Sequence, residues 1–335
     1  MTLHLEERER RILHSALLNG DMTAEALSEA LDIPAYQIRR SLASIQKNEI
    51  ASPYTLVNQF SLGWMKIGVY FSFLASSTEQ IRDITERLLG YENIVSLIEL
   101  FGAYQYFMSI NVKGIPEYES FMAKLCTDIP ELRIDESVSI RHSLTLFKRK
   151  YLCPNIKDTS SLTYSMTDAK TDLDDLSIGI VNHITKSSGF PNVPEMAKEF
   201  GVSPPTIHKK LKDLQNQNVI IGYSYSIDPY KLGVYPYDLL IKTNSRDPKF
   251  KKKFFAYCQK HLSVVGLTEC VGNWQFEVRI EVSSPSEATL VSQEIYSLFK
   301  DFIHKIETVS VCKEIRYMKT PKIQANFPPR KSGTA

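Results

Sequence analysis

Hydrophobic positions within residues 193–233 follow two helical periods and then a strand-like alternation. Met196 and Phe200 recur at helical spacing, and Gly201 follows where a helix is expected to end. Ser203 is suited to cap a second helix, because its hydroxyl can accept a backbone N–H bond from the first turn. The pattern therefore predicts two helices joined by a tight turn.

The second predicted helix has one apolar and one polar face. Ile207, Leu211 and Leu214 fall on the apolar side. Residues 219–227 then alternate like a strand pair, which predicts the wing of a winged helix-turn-helix. The polar side is shaped to enter a DNA major groove, and its candidate DNA contacts are Pro205, Thr206, His208, Lys209 and Lys212. A helical hairpin with a merely solvated basic face has the same spacing and is the alternative.

The same pattern occurs earlier in the chain. Residues 27–50 align with residues 196–219 without a gap, at an offset of 169 residues. Ile38, Leu42 and Ile45 repeat the apolar face. A repeat on this scale indicates that a whole structural unit is duplicated. The candidate DNA contacts of the first copy are Tyr36, Gln37, Arg39 and Arg40.

A different domain follows each helix-turn-helix. Its segments alternate in the order βαββαβ, which predicts a ferredoxin-like domain with an antiparallel sheet and two helices on one face. FGAYQYFMSI and VGNWQFEVRI lie at an offset of 170 residues, so the two halves stay in register. The predicted fold class is α+β, with two repeats of a winged helix-turn-helix followed by a ferredoxin-like βαββαβ domain.

The predicted domain boundaries follow these changes of pattern. The segment from 151 to 172 is polar and without periodicity, which predicts a linker. The tail is rich in proline and basic residues, which predicts disorder. The predicted ranges are 1–58 and 173–228 for the winged domains, 59–150 and 229–318 for the ferredoxin-like domains, 151–172 for the linker and 319–335 for the tail.

Composition excludes some classes of protein. The net charge of the 335 residues is only +2, so a positive surface for nucleic acid must be local. The five cysteines are scattered without paired spacing, which excludes a disulfide framework and a cysteine zinc site. The charged N-terminal stretch has no apolar core after it, and no apolar run is long enough to span a membrane. We expect a cytoplasmic protein.

Each half resembles the leucine-responsive/asparagine regulator (Lrp/AsnC) family. The resemblance is carried by GVSPPTIHKKLKDLQNQNVIIGYSYSIDPYKLG in the second half and by a glycine-x-aromatic-x-aromatic turn in both halves. The first half departs from the pattern, with Asp32 at the turn glycine, Ser28 at the small alanine and Asn58 at the hinge aspartate. The resemblance covers residues 5–150 and 173–318.

The resemblance implies a regulator that binds double-stranded DNA and associates through its ligand-sensing (RAM) domains. Fusion of two units predicts that this association occurs within one chain, which leaves other surfaces open for association between chains. Its relatives often bind amino acids between these domains. The usual acidic position holds a glutamine in both halves, and a neutral amide cannot attract an ammonium group as a carboxylate does. The sequence therefore leaves two possibilities open: a different small-molecule effector, or no effector. The candidate effector-binding residues are Gly102, Tyr104, Gln105, Gly272, Trp274 and Gln275.

The alternatives to an effector site are structural. Alternating aromatic residues in strands often form core, and a plain strand turn also accounts for the two glycines. The basic run from Lys249 to Lys253 is expected to be a solvated helix face, with a supplementary phosphate contact as the alternative.

Enzyme motifs are missing from the sequence. No HExxH, phosphate-binding glycine loop or GxSxG is present, and no catalytic residue, metal or cofactor is predicted. The same resemblance leaves one enzymatic alternative open, since siroheme decarboxylases share this two-domain unit and occur as fused pairs. Arg141 and His142 form the adjacent pair that such a tetrapyrrole pocket could use, and a surface strand edge is the alternative interpretation.

Overall fold

The structure is a computed structural model that describes residues 5–73, 77–167, 170–186, 189–245, 247–316 and 323, without the side chains of residues 133–136. The predicted disorder of the tail lies outside the described residues, apart from Ile323. The first half contains α1 (Glu7–Ala16), α2 (Ala24–Leu31), α3 (Ala35–Lys47), β1 (Ala51–Val57), β2 (Met65–Phe73), α4 (Thr78–Leu89), β3 (Ile94–Phe101), β4 (Tyr106–Val112), α5 (Ile115–Asp128) and β5 (Leu132–Phe147).

The second half follows a connecting segment that contains β6 (Ser161–Ser165). Its elements come in the same order as those of the first half. They are α6 (Asp175–Lys186), α7 (Val193–Phe200), α8 (Pro204–Asn216), β7 (Ile220–Ile227), β8 (Tyr235–Thr243), α9 (Pro248–Lys260), β9 (Val264–Gly272), β10 (Phe276–Val282), α10 (Pro285–Phe299) and β11 (Ile303–Arg316). The predicted α+β fold class is confirmed.

The helix-turn-helix turns have the predicted local chemistry in both halves. Gly201 ends α7 in the left-handed conformation with φ of 65°, and Asp32 ends α2 in the same conformation with φ of 53°. Ser203 caps α8 by accepting the backbone N–H of Thr206. Asp32 therefore replaces the turn glycine without changing the backbone path, which aspartate tolerates better than most residues.

The ferredoxin-like sheets of the two halves join into one barrel. The described strands form a nine-stranded sheet in the order β2-β4-β3-β11-β8-β10-β9-β5-β6, and an additional β2–β5 pairing closes eight of them. The halves meet at two seams, β5 with β9 and β11 with β3. Ser139 pairs with Gly272 at one seam and Ser310 pairs with Phe101 at the other. Closure of this kind removes the exposed edges of both sheets.

Apolar cores cover the outer face of the barrel. In the first half, Ile84 and Leu88 of α4 and Leu125 of α5 are fully buried against the strands. In the second half, Phe250 and Phe254 of α9 and Ile295 of α10 occupy the same layer. The predicted placement of helices on one face of each sheet follows from these amphipathic faces.

The predicted strand pair of the wing, residues 219–227, is wrong. Each helix-turn-helix is followed by one strand, and these strands, β1 and β7, pair with each other in a two-stranded antiparallel ribbon. Residues 219–227 are too few for two strands and a turn, so the alternation belonged to a single strand whose partner lies in the other half. The ribbon therefore links the two helix-turn-helix regions directly.

The connecting segment is more ordered than the predicted linker. β6 pairs with β5 on the outside of the closed barrel, and Tyr164 packs on Phe60 with ring centroids 5.9 Å apart. Leu152 and Cys153 are buried against the first helix-turn-helix. Short polar strands with few apolar residues carry a weak periodic signal, which is why the sequence predicted irregular structure here.

Candidate nucleic-acid interface and barrel cavity

Helix α8 separates its buried and outward residues as predicted. Ile207, Leu211 and Leu214 are buried in the second helix-turn-helix core. Lys210 pairs with Asp174, which ties α8 to the segment before α6. The helix is thus held by its apolar face and by this ion pair, and His208, Lys209 and Lys212 on the other side are exposed.

The candidate contacts of α8 are available to a ligand. Pro205, His208, Lys209 and Lys212 are exposed, and Thr206 is half-buried. The hydroxyl of Thr206 lies 2.9 Å from that of Ser203, inside the helix cap. Among the described residues, none forms an ion pair with His208, Lys209 or Lys212. Exposed lysines without ion-pair partners on an outward helix face are suited to contact a phosphate backbone.

The candidate contacts of α3 are more constrained. Tyr36 is 66% exposed. Gln37 accepts a hydrogen bond from Arg8 at 3.3 Å and donates one to Tyr36 at 3.0 Å. Arg39 pairs with Glu25 of α2, whereas Arg40 is exposed and pairs with none of the described residues. The first helix therefore offers less free positive charge than the second.

The six candidate effector residues lie in equivalent turns of the two halves. Gly102 and Gly272 have φ of 132° and 140°, which favours glycine. A Cβ on Gly272 would lie 2.5 Å from the carbonyl oxygen of Val138, because β9 passes closely over β5 at the seam. Barrel closure alone accounts for this glycine.

The two glutamines of these turns bind backbone. Gln105 Oε1 accepts the N–H of Phe73 at 3.1 Å, and Gln275 Oε1 accepts the N–H of Thr243 at 2.8 Å. Each glutamine amide therefore supplies a hydrogen-bond acceptor to the last residue of the neighbouring strand in its own half.

The aromatic residues of these turns fill one end of the barrel. Trp274 is buried and donates its indole N–H to Ser137 Oγ at 2.8 Å. Tyr104 packs on Tyr70 with ring centroids 5.2 Å apart. An apolar cluster of both halves surrounds them. Effector binding at these turns stays a prediction.

Sequence reasoning missed a cavity of about 150 Å³ inside the other end of the barrel. None of the six candidate effector residues lines it. Its floor is formed by barrel strands, and Tyr54 and Ser224 of the β1–β7 ribbon lie over it. The sequence contained one signal for this cavity, namely the isolated charged residues inside strands β2, β5, β8 and β10. Charged side chains that face the interior of a barrel are uncommon. The charged lining residues are Lys66, Arg141, Arg149, Asp238, Arg279, Glu277, Glu281 and Glu314.

Ion pairs between the halves cross this cavity. Arg149 donates to both carboxylate oxygens of Glu281, each at 2.8 Å, and Tyr151 also donates to Glu281. Arg141 pairs with Glu277, which also accepts a bond from Ser139 at 3.2 Å. The first half contributes the cations of these two pairs and the second half contributes the anions.

The Arg141-His142 pair does not act as one unit. Arg141 lines the cavity, where its guanidinium lies 4.2 Å from the ring centroid of Phe107. His142 is the next residue of the same strand and does not line the cavity, as expected for side chains that alternate across a sheet. Burial lowers the pKa of His142 below its ordinary value. No described histidine lines the cavity.

The basic run of α9 is mostly a solvated face. Lys251 pairs with Glu269 at 3.0 Å, and Lys249, Lys252 and Lys253 are exposed. Over the described part of the chain, no group of three His, Cys, Asp or Glu side chains could hold a metal ion. No described helix combines the length and apolar character needed to cross a membrane.

The sequence relatives of the chain are helix-turn-helix regulators of the AsnC/Lrp type. No protein-family model matches the chain. The regulatory protein AsnC of Haemophilus influenzae is 27% identical over 149 residues, which cover 44% of this chain and 93% of AsnC. An HTH-type transcriptional regulator of Pyrococcus horikoshii is 23% identical over 138 residues, which cover 40% of this chain and 85% of that regulator.

Solved structures of a siroheme decarboxylase resemble the chain over almost its whole length. The siroheme decarboxylase NirDL superimposes with a TM-score of 0.63 at 12% sequence identity, covering 95% of each chain. At this identity the likeness shows a shared fold.

Proposed function

We propose that the protein is a sequence-specific DNA-binding transcription regulator of the Lrp/AsnC type, built as a tandem fusion of two units, and not an enzyme. The observation that carries the proposal is the outward face of α8, where His208, Lys209 and Lys212 are exposed and unpaired among the described residues. The buried face of the same helix fixes their direction. The helix-turn-helix regulators among its relatives support the same function.

Pairing of the two halves supports the tandem arrangement. The family resemblance implies association of two units, and here β1 pairs with β7 and the barrel closes within one chain. Covalent linkage holds the partners at high effective concentration. Two unlike recognition helices, α3 and α8, are then joined by one ribbon, and further association between chains uses other surfaces.

Replacement of Lys209 by alanine tests the DNA interface. If Lys209 contacts a base, the variant should lose about 1–3 kcal/mol of binding free energy. If it contacts phosphate, the slope of log K against log salt should fall by about one unit. The measurement is fluorescence anisotropy with genomic duplexes over a salt series.

Lys300 provides the matched control, because it is an exposed lysine at the end of α10, outside the helix-turn-helix and outside the basic run of α9. Lys300→Ala removes the same charge and should leave affinity and salt slope unchanged. Equal behaviour of the Lys209 and Lys300 variants would reject the assignment of α8 as a DNA-reading helix.

A siroheme-decarboxylase-like enzyme is the second candidate, favoured by the full-length fold likeness to NirDL. Two features of the cavity oppose it: its volume is about 150 Å³, and no described histidine lines it. The purified protein distinguishes the candidates. A haem-like absorption band together with no affinity for duplex DNA would favour the enzyme.

A further inference from the structure

The barrel cavity contains polar groups that lack partners. Lys66 of β2 is 4% exposed, lines the cavity and forms no hydrogen bond or ion pair with any described residue. Ser109 Oγ on β4 and Arg141 Nε on β5 also line this space and are buried without a hydrogen-bond partner among the described residues. Buried polar groups are normally paired, so three together indicate a place for a ligand.

These groups lie on neighbouring strands. β2 lies between β4 and β5, and Lys66 pairs in register with Arg141 on the β5 side. Gly68 opposes Ser109 on β4. A Cβ on Gly68 would lie 3.1 Å from Arg141 Nε, so this glycine leaves room for the guanidinium. All three unpartnered groups can donate hydrogen bonds, and two of them carry positive charge when protonated.

The acids of the cavity are already satisfied. Glu277 is held by Arg141 and Ser139, Glu281 by Arg149 and Tyr151, and Asp238 by Arg279. Glu314 pairs with Arg279 at 3.3 Å. Each acid that lines the cavity has an arginine partner, with Asp238 and Glu314 sharing Arg279. The amine of Lys66 has no partner among the described residues and is therefore available to a ligand's anionic group.

We propose that the barrel cavity binds a small organic carboxylate without an ammonium group, with Lys66, Ser109 Oγ and Arg141 Nε as its donors. Apolar lining from Ile98 and Phe107 accommodates the hydrocarbon part. A cavity of about 150 Å³ accepts a molecule of roughly benzene size. The proposed occupant is therefore much smaller than a tetrapyrrole.

The position of the cavity gives such a ligand a regulatory role, which rests on the proposed function. Tyr54 and Ser224 of the ribbon and Leu17 after α1 line the same space as Lys66. An occupant therefore contacts the barrel and the ribbon that joins the two helix-turn-helix regions. A ligand that binds two arrangements of the ribbon unequally shifts their populations.

Protonation of Lys66 couples the site to pH. Burial, and secondarily the charge of Arg141, lower the pKa of the Lys66 amine to about 7. An anion binds the protonated Lys66 amine, so above pH 7 binding requires uptake of a proton. The affinity for the anion should therefore fall about tenfold per pH unit above pH 7. The charged and titratable groups that share the cavity are Arg141 on β5, Arg149 after β5, Asp238 on β8, Glu277, Arg279 and Glu281 on β10, Glu314 on β11 and Tyr54 on β1.

Calorimetric titration of the full chain with 4-methylpentanoate and with leucine tests the proposal, because the two probes differ only by the ammonium group. The carboxylate should bind at one site per chain, at least about tenfold more tightly than leucine. Lys66→Met should weaken binding by at least about tenfold, and Ser109→Ala by a smaller factor. Lys252→Met removes an exposed lysine and should have no effect.

Several results would overturn the proposal. These are binding of leucine as strong as that of the carboxylate, unchanged binding by Lys66→Met, binding of inorganic phosphate in place of the carboxylate, or no heat with either probe. Anisotropy with duplex DNA measures the regulatory role separately. The regulatory role predicts that 4-methylpentanoate changes the DNA affinity of the parent but not that of Lys66→Met. An unchanged DNA affinity of the parent would reject the regulatory role, whereas calorimetry decides whether the carboxylate binds.

Discussion

Burial of the Lys66 amine in the barrel lowers the stability of the folded protein. Because its folded pKa is lowered to about 7, the unfolded chain binds a proton between about pH 7 and pH 10 that the folded chain does not bind. The free energy of unfolding therefore rises with pH across this window. Below about pH 7 both states are protonated, and the full penalty of the buried charge is present.

We predict that Lys66→Met is more stable than the parent at about pH 6. Its advantage should shrink by up to about 1.4 kcal/mol per pH unit between about pH 7 and pH 10, as the parent loses its buried charge. Urea denaturation across this range measures the difference. An advantage that does not vary with pH would show that the amine is not desolvated as described.

Gln275 supports a second prediction. Gln275→Ala should lower the free energy of unfolding by about 1 kcal/mol, because the backbone N–H of Thr243 loses its acceptor. Gln275→Glu keeps an acceptor oxygen and should lose less. If both variants unfold like the parent, the amide is not a structural cap, and its assignment as an effector contact gains weight.

Some residues could be interpreted from sequence and others could not. The cap at Ser203 follows from the chemistry of its hydroxyl and the outward direction of Lys209 from the helical period, and the structure places both as predicted. Gly272 is necessary because β9 approaches β5, a contact between residues far apart in the chain. Local pattern carries no information about such a contact.

The elements that join the two halves depend on buried ion pairs. Glu281 is 3% exposed in its side chain and Arg149 is 18% exposed, so their attraction is little screened. Removal of one partner of a buried pair leaves a charge without compensation, which costs more than the pair contributes.

We therefore predict that Arg149→Met lowers the free energy of unfolding by about 3 kcal/mol, and that Arg149→Met combined with Glu281→Leu recovers most of the loss. Arg82 provides the control, since its pair with Glu86 is 81% and 64% exposed. Arg82→Met should cost less than about 1 kcal/mol. Equal losses for the single and double variants of the buried pair would contradict the interpretation.

At the element scale, sequence pattern identified the helices and the strands of both sheets but not their partners across the halves. Strands β1 and β7 look alike as isolated segments, and each could form a hairpin or pair at a distance. Their pairing, from Ala51 with Ile227 to Val57 with Ile220, depends on the association of the two halves. The wing was assigned to the wrong partner for this reason.

At the scale of the whole molecule, the two halves have diverged in charge. Among the described residues that line the cavity, three of the four cations come from the first half and all four acids come from the second, so each half complements the other better than a copy of itself. The two proposed recognition helices, α3 and α8, have diverged as well. Arg39 is neutralised by Glu25 in the first, whereas Lys209 is free of ion pairs with described residues in the second.

Two unlike recognition helices in one chain predict an asymmetric operator with two unlike half-sites. Within this pair, α8 should contribute the larger part of the affinity and the salt dependence, because its cations are exposed and unpaired among the described residues. A symmetric homodimer of single units would instead read a palindrome.

Binding-site selection from random duplexes, followed by footprinting of the selected site, tests the account most directly. We predict one asymmetric site per chain with two protected half-sites, of which Lys209→Ala weakens one and Arg40→Ala the other. A palindrome protected by α8 of two separate chains would show that the first helix-turn-helix does not read DNA. Failure to select any sequence, in a chain that binds duplex no more tightly than a neutral protein, would contradict the proposed function itself.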